Sequence, residues 1–199
     1  MNISGYYIQS SPQSKILGDW LFSIPIKGIC KVTNLVTKRL RMVSWNQELV
    51  LAAIEDKSRL SQILELEVPH DFPSDPVREF LLPMTLEELE RDPSIGQWSG
   101  MIVHVSNSIL IGTMGFKSSP DELGNVEIGY DIIPKYQGQG YATEMAQALI
   151  EWAFHQSNVN SVTAECLVTN TPSVRVLEKV GMKKLSQVED MIYWKIDKR

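Results

Sequence analysis

Residues 126–142 read VEIGYDIIPKYQGQGYA, a strand pattern that runs through a glycine-bearing turn directly into a long helix. The first N–H groups of a helix have no partners within the helix, and the helix dipole gives that end a partial positive charge. Gly138 and Gly140 carry no side chains that would keep an anion away from those N–H groups. The junction therefore favours a pyrophosphate site, although two such glycines are also typical of a tight turn that binds nothing.

Two common nucleotide-binding motifs do not fit this turn. A dinucleotide fingerprint needs a third glycine three positions after Gly140, where the chain has Thr143. A P-loop needs Gly-Lys followed by Ser or Thr, and the turn does not contain it. The sequence therefore favours neither NAD nor ATP as the ligand.

The residues before the turn predict helices followed by a strand meander. Alternating residues over 37–45 predict a strand, Asn46 is a candidate N-cap for a helix that runs to Ile54, and a second helix fits 58–67. Four prolines then indicate a loop-rich, partly helical stretch that ends near Asp92. Three strands of an antiparallel meander follow, over 101–105, 109–116 and 126–133.

The residues after the turn return to the sheet twice. Apolar residues follow a helical period from Ala142 to Phe154. A strand over 162–168 is followed by a helix that Thr171-Pro172 opens and Gly181 closes, and a last strand fits 191–196. The whole pattern predicts an α/β (α+β) fold with a mixed, mostly antiparallel central sheet flanked by helices.

Length and composition indicate one globular domain. The chain has 199 residues, of which 43% are hydrophobic and 22% charged, enough to bury a sizeable core. Residues 1–34 have no sustained period and are interpreted as a weakly ordered N-terminal extension, so the domain is assigned to 35–199. The most apolar stretch near the start, 16–32, is interrupted by charged residues and a proline, so it predicts no membrane segment, and the chain is expected to be cytoplasmic.

Charge and cysteine usage exclude several classes of partner. The net charge of −5 gives no general attraction to nucleic acid or to an anionic membrane. Cys30 and Cys166 form no CxxC pair, and the three histidines add no familiar zinc spacing. The sequence therefore predicts no metal and no disulfide scaffold.

The turn and its flanks resemble a known family. Gln137 to Ala142 match the signature Gln/Arg-x-x-Gly-x-Gly/Ala, with Glu127-Ile128-Gly129-Tyr130 before it. Asn170 and Ser173 follow at the next strand-to-helix junction, and the sequence then reads VLEKVGM over 176–182. These residues resemble the GNAT superfamily of acyl-CoA-dependent N-acetyltransferases, in the branch that includes ribosomal-protein N-terminal acetyltransferases. The resemblance is strong over 100–195 and weaker over 37–99.

The resemblance implies acetyl-CoA as the co-substrate and a GNAT-like fold. The pyrophosphate would lie on the turn, and the pantetheine arm would lie in a cleft where the strand containing Gly129 separates from the next strand, helped by a bulge at that glycine. Asn170 and Ser173 match positions that bind the pantetheine, although Asn170 is also a natural helix cap. The residues expected to contact the cofactor are Ile132, Ile133, Gln137, Gly138, Gln139, Gly140, Tyr141, Ala142, Asn170 and Ser173.

Two glutamates are candidates for the general base. Glu127 lies on the strand before the turn, and Glu165 lies five residues before Asn170, positions at which members of the superfamily place an acidic residue. For either residue, a solvated carboxylate or an ion pair is an equally good interpretation. Leu177 stands where many members have a tyrosine that protonates the leaving thiolate, and Cys166 is interpreted as a core residue.

The acceptor is predicted only as a class, namely the primary amine of a small molecule or of a peptide N-terminus. Its site falls in residues 45–98, where Trp45, Phe72, Phe80 and Trp98 either line a pocket or belong to the core. The protein is expected to act as a monomer or a homodimer. A non-catalytic acyl-CoA-binding regulatory module is the alternative, and Leu177 is the residue that favours it.

Overall fold

The computed structural model describes residues 35–199, and the extension predicted over 1–34 lies outside them. These residues form an eight-stranded sheet in the order β1-β2-β3-β4-β5-β6-β8-β7. The strands are Leu35–Val36 (β1), Leu40–Ser44 (β2), Ser99–His104 (β3), Ile109–Phe116 (β4), Asn125–Ile132 (β5), Ser161–Leu167 (β6), Lys183–Val188 (β7) and Met191–Asp197 (β8). The α-helices are Gln47–Glu55 (α1), Lys57–Leu64 (α2), Leu82–Arg91 (α3), Tyr141–His155 (α4) and Thr171–Lys179 (α5).

The sheet is antiparallel at every junction except one, so the predicted mixed, mostly antiparallel fold is confirmed. The exception is β5 and β6, which run parallel and pair only from Asn125 to Glu127 on β5. Beyond Glu127, β5 keeps its pairing with β4 from Ile128 to Ile132 while β6 pairs with β8. The two strands therefore separate and leave an opening in the middle of the sheet.

The opening forms without the bulge expected at Gly129. The register between β4 and β5 is continuous through this residue, which pairs with Gly115. A Cβ built on Gly129 would have no heavy atom within 4 Å, because β6 has already moved away from β5 there. The two strands thus separate because β5–β6 pairing stops, and β5 itself stays regular.

Helix α4 packs its apolar side on β4 and β5. Its fully or nearly buried residues recur at helical spacing and include Met145, Ala146, Leu149 and Ala153, as the sequence period predicts. The N-cap predicted at Asn46 is confirmed for α1, because the Leu49 N–H donates to the Asn46 side chain at 2.8 Å.

Two elements differ from the sequence-based expectation. Strand β7 was not predicted, because all six of its residues are exposed and no burial alternation marks it. The proline-rich stretch is more helical than expected, with a π-helix at Val77–Leu81 that leads directly into α3. Pro83, which has no N–H to donate, lies in the first turn of α3, directly after the π-helix.

The aromatic residues singled out between 45 and 98 are mostly core. Trp45, Phe72 and Trp98 are buried, whereas Phe80 is 68% exposed. Trp98 packs edge-on against Phe116 of β4 and Trp152 of α4. Among residues 35–199, no helix combines the length and the apolar character that crossing a membrane requires.

Candidate active site

The turn before α4 leaves the first N–H groups of the helix open. Gly138 and Gly140 have φ values of +72° and +82°, a backbone region that favours glycine. Gly140 occupies the N-cap position, and no side chain caps the helix. A Cβ on Gly138 would meet no heavy atom within 4 Å, so the space above the turn is free for a ligand. These features fit an anion site.

A cleft of about 490 Å³ extends from this turn to α5. Most of the residues expected to contact a cofactor line it: Ile132, Gln137, Gly138, Gly140, Tyr141, Ala142, Asn170 and Ser173. The structure therefore brings together two segments that are about thirty residues apart in the sequence. The cleft thus joins the N-terminal ends of α4 and α5.

Two of the expected contact residues do not line the cleft. Ile133 is 1% exposed and packs in the core, where its N–H donates to the Ile111 carbonyl. The Gln139 side chain turns back and donates to the Lys135 carbonyl at 3.0 Å. Neither residue is therefore part of the lining of the cleft.

The side chains of Gln137 and Asn170 hold their own segments in place. Gln137 Nε2 donates to the Ile132 carbonyl at 2.7 Å, which ties the turn to the end of β5. The Ser173 N–H donates to Asn170 Oδ1 at 3.2 Å, so the helix-cap interpretation of Asn170 is correct. Asn170 also lines the cleft, and the two roles are compatible.

Arg39 supplies a positive charge at the turn that the sequence did not indicate. Its Nη1 donates to the Gln139 carbonyl at 3.1 Å, and its Nη2 lies 3.6 Å from where a Cβ on Gly140 would be. The guanidinium also lies 4.4 Å from the centre of the Tyr141 ring. Arg39 comes from the start of the domain, one hundred residues before Gln139, and no local pattern connects the two.

Glu144 anchors Arg39 from the first turn of α4. Its carboxylate accepts from the Thr37 hydroxyl at 2.6 Å and pairs with Arg39 Nε at 2.6 Å. Burial acts to raise the pKa of Glu144, but the hydrogen bonds from Thr37 and Arg39 outweigh it and hold the pKa below its ordinary value of 4.5. The carboxylate therefore stays ionised and holds the arginine at the turn.

This pKa shift predicts a pH-dependent contribution to stability. Because the pKa of Glu144 is lower in the folded state, its contribution is fully present above pH 4.5 and is lost as the pH falls through the folded pKa. We expect Glu144→Gln to lower the free energy of unfolding by about 2 kcal/mol at neutral pH, and by less at about pH 3. Urea unfolding of both proteins across this range measures the difference. A difference that stays constant with pH would contradict the assignment.

A second, smaller cavity of about 170 Å³ lies between α3 and the β4–β5 pair. Apolar side chains of Trp45, Val77 and Leu81 form part of its wall, and the carboxylates of Glu88 and Asp131 also line it. The π-helix widens the backbone at Val77–Leu81, which form one side of this cavity. The segment in which the sequence placed the acceptor site thus contributes to a real cavity.

The two cavities share Tyr130 and Asp131 on β5. The Tyr130 hydroxyl lies 3.4 Å from the Ser173 carbonyl, where it donates across the opening between β5 and α5. Burial raises the pKa of Tyr130 above its ordinary value, although the contact with Ser173 opposes the shift. Tyr130 thus keeps its proton at neutral pH. The sequence analysis included Tyr130 among the residues that precede the family signature and assigned it no role.

The structure brings Glu127 and Glu165 together on one lysine. Lys117 Nζ forms an ion pair with Glu127 and lies 2.9 Å from Glu165 Oε1, so it bridges β5 and β6 where they begin to separate. Burial acts to lower the pKa of Lys117, but the two glutamates outweigh it and raise the pKa above 10.5. Lys117 lines the second cavity, whereas the two glutamates are not among its lining residues.

Other candidates have structural roles. Leu177 is 1% exposed and has no acidic proton to give. Cys166 is buried, and its sulfur accepts from Trp194 Nε1 at 3.3 Å, in keeping with a core residue. His104 lies 3.1 Å from the Tyr141 hydroxyl and supports the start of α4. Residues 35–199 contain no group of three or more potential metal ligands.

Known proteins share both the sequence pattern and the fold. The family described as "Acetyltransferase (GNAT) domain" matches residues 39–183. The uncharacterized N-acetyltransferase YjdG of Bacillus subtilis is 33% identical over 148 residues, which cover 74% of this chain and 88% of YjdG. The family match spans the turn and the residues that line both cavities.

Two solved structures have a similar fold. An acetyltransferase of the GNAT family from Bacillus anthracis has a TM-score of 0.57 and 24% identity, over 84% of this chain and 98% of that one. RimL, a ribosomal L7/L12 alpha-N-protein acetyltransferase solved in complex with coenzyme A, has a TM-score of 0.55 and 17% identity, over 81% of this chain and 96% of that one. At these identities the likeness is one of fold.

Proposed function

The chain belongs to the GNAT acetyltransferase family, and from this premise we propose that it moves the acetyl group of acetyl-CoA directly to a primary amine. The single observation that carries the proposal is the meeting of two cavities at Tyr130 and Asp131. Direct transfer needs a donor and an acceptor that reach the same point from different sides, because no enzyme nucleophile carries the acetyl group between them. The two cavities provide such a point.

The cofactor cleft has the features that a CoA thioester requires. The open N–H groups of α4 and the guanidinium of Arg39 suit the negative charge of a pyrophosphate. The opening between β5 and β6 leaves backbone N–H and C=O groups of β5 beyond Glu127 free to pair with the amides of a pantetheine arm. RimL, which has the same fold, was solved with coenzyme A bound.

Tyr130 is proposed to stabilise the departing thiolate. It retains its proton, lines both cavities, and takes the place of the tyrosine that Leu177 does not supply. A thiolate needs less help than an alkoxide because it is a fairly good leaving group near neutral pH. Tyr130 therefore acts as a hydrogen-bond donor at the point of transfer when its O–H turns from the Ser173 carbonyl toward the thiolate.

We expect Tyr130→Phe to lower kcat about tenfold to a hundredfold while leaving acetyl-CoA affinity within about twofold. The phenyl ring keeps the packing of the tyrosine but loses the donor. Steady-state CoA release gives kcat, and calorimetry gives the affinity. An unchanged kcat would remove Tyr130 from the mechanism, and Tyr136→Phe is the control because Tyr136 also lines the cleft without reaching the second cavity.

The glutamates are proposed as the proton acceptor for the amine. Glu127 forms an ion pair with Lys117, and its Oε1 is shielded from solvent. Glu165 shares the same lysine. An amine proton from the second cavity reaches this pair by a water or by displacement of the Lys117 ammonium. Asp131 is the competing base, because it lines both cavities itself.

The second cavity favours an amine attached to an apolar group. Carboxylates of Glu88 and Asp131 attract a protonated amine, while Trp45, Val77 and Leu81 offer apolar contact. A volume of about 170 Å³ admits one small side chain and not a folded partner. We therefore propose a small-molecule amine or the first residue of a peptide as the acceptor. RimL, by its description, acts on a protein α-amino group.

A panel of amines tests the proposal. It includes peptides that differ in their first residue, aliphatic and aromatic monoamines, polyamines and aminoglycosides, with CoA release as the readout and mass spectrometry of the products. We expect N-acetylated products and the highest rates with amines that carry a small apolar group. Products acetylated only on oxygen would contradict the amine assignment, and acetyl-CoA binding without any turnover would favour a non-catalytic acyl-CoA-binding module.

A further inference from the structure

The side of α5 that faces the cofactor cleft carries two basic residues. Pro172, Ser173, Arg175, Val176 and Lys179 line the cleft, a spacing that places them on one stripe of the helix. Arg175 and Lys179 are four residues apart and thus one turn apart on that stripe. Both are exposed at the cleft surface.

Neither cation has a partner in the described part of the chain. Within residues 35–199, Arg175 and Lys179 form no ion pair, and neither side chain donates a hydrogen bond. Arg39 and Lys117, which also lie beside the cavities, are both paired with glutamates. The chain has a net charge of −5, yet this wall of the cleft carries two cations that no carboxylate of the described residues neutralises. Such a wall attracts an anionic ligand.

Arg175 and Lys179 follow α5 away from the point where the two cavities meet. Ser173 at the start of α5 contacts Tyr130, where the two cavities meet. Lys179 lies six residues further along, a distance of about 9 Å at the rise of an α-helix. Arg175 and Lys179 therefore line the same cleft as the turn, with Lys179 further along α5 from the point where the two cavities meet.

Resting on the proposed function, we infer that Arg175 and Lys179 form a subsite for the 3′-phosphate of acetyl-CoA. The turn at Gly138 and Gly140 accounts for the pyrophosphate, which leaves one phosphate of the cofactor to be bound. A phosphate monoester carries nearly two negative charges at neutral pH and suits two cations one helical turn apart. Arginine offers paired donors to such a group and lysine a point charge.

Binding of two cofactor forms tests the inference without knowledge of the acceptor. Acetyl-CoA and acetyl-3′-dephospho-CoA are titrated into the wild type and into the Arg175→Ala/Lys179→Ala double variant. We expect the double variant to bind acetyl-CoA about tenfold or more weakly than the wild type and to bind acetyl-3′-dephospho-CoA unchanged. The wild type is expected to prefer acetyl-CoA by a similar factor.

Two further variants sharpen the result. Lys183→Ala/Lys184→Ala removes the same charge from β7, outside the cleft, and is expected to leave both affinities unchanged. Arg175→Lys keeps the charge and is expected to recover part of the affinity that Arg175→Ala loses. Far-UV circular dichroism and thermal unfolding check that each variant is folded.

The outcomes are distinguishable from a failure of the proposed function. If the wild type binds both cofactor forms and the double variant loses affinity for both equally, the pair contacts another part of the cofactor and the inference is overturned. An unchanged affinity for acetyl-CoA in the double variant overturns it as well. If the wild type binds neither form, the proposed function is wrong, and the proposed subsite is wrong as well.

Discussion

Replacing Gly140 by valine is expected to weaken acetyl-CoA binding about a hundredfold or more, because a branched side chain enters the space above the first N–H groups of α4. Gly140 is the N-cap of α4, and its φ of +82° places any Cβ on the side of the turn near Arg39. The first Cβ would meet Arg39 Nη2 at 3.6 Å, an ordinary contact, so the methyl groups beyond it are what obstruct the anion.

A control must separate this obstruction from backbone strain. A β-branched residue at positive φ costs about 1–2 kcal/mol wherever it occurs. Gly181 has a φ of +87° after α5 and does not line the cleft. Gly181→Val is therefore expected to lower stability to a similar extent and leave acetyl-CoA affinity unchanged. Retained affinity in Gly140→Val, measured by calorimetry, would mean that the turn holds no phosphate.

Replacing Glu127 by glutamine is expected to lower kcat about a hundredfold and to leave acetyl-CoA affinity unchanged. Glutamine keeps the size of the side chain but can no longer take the proton of the amine. Glu127 Oε1 is shielded from solvent and lies at the last paired position before β5 and β6 separate. Glu127 does not line the cofactor cleft, so its replacement is expected to slow acetyl transfer without weakening acetyl-CoA binding.

Three matched variants identify which carboxylate acts. Glu165→Gln is expected to have a smaller effect, because Lys117 then pairs with Glu127 alone. Glu151→Gln, an exposed position on α4, is the control for a lost surface charge. If kcat is unchanged in the Glu127 and Glu165 variants but falls in Asp131→Asn, the base is Asp131. The acceptor used is the best amine from the panel described above.

The sequence predicted the features that local patterns determine. The strand meander, the period of α4, the Asn46 cap and the junctions at Gly140 and Asn170 each depend on residues that are neighbours along the chain. The order of these elements is what makes the family recognisable, and the family assignment is confirmed by the match over 39–183. The separation of β5 from β6, which the family resemblance implied, is present in the structure, although its expected cause, a bulge at Gly129, was wrong.

The sequence alone did not predict contacts between segments that are far apart along the chain. Arg39 reaches the turn from the bend between β1 and β2, one hundred residues before Gln139, and it is held there by Glu144 of α4. Lys117 joins Glu127 and Glu165 across two strands, a relation that alternation along one strand does not contain. All residues of strand β7 are exposed, so its sequence shows no alternation of apolar and polar residues that would predict a strand.

Site prediction was sharper for the cofactor than for the acceptor. The turn is short, and its two glycines, which are visible in the sequence, are the residues that indicate an anion site. The second cavity instead combines a π-helix, α3 and two strands, and its polar residues Thr85 and Glu88 occupy ordinary helical positions. The roles of Glu127 and Glu165 remain predictions that the variants above test.

A calorimetric titration of acetyl-CoA into the purified protein, with NADH and ATP as controls, tests the cofactor site most directly. We expect binding of one acetyl-CoA with a free energy on the order of −8 kcal/mol, a micromolar Kd, and no comparable binding of either control. Absence of acetyl-CoA binding would contradict the cofactor assignment, because the glycines before α4 would then form only a turn and the two cavities would have no donor to join.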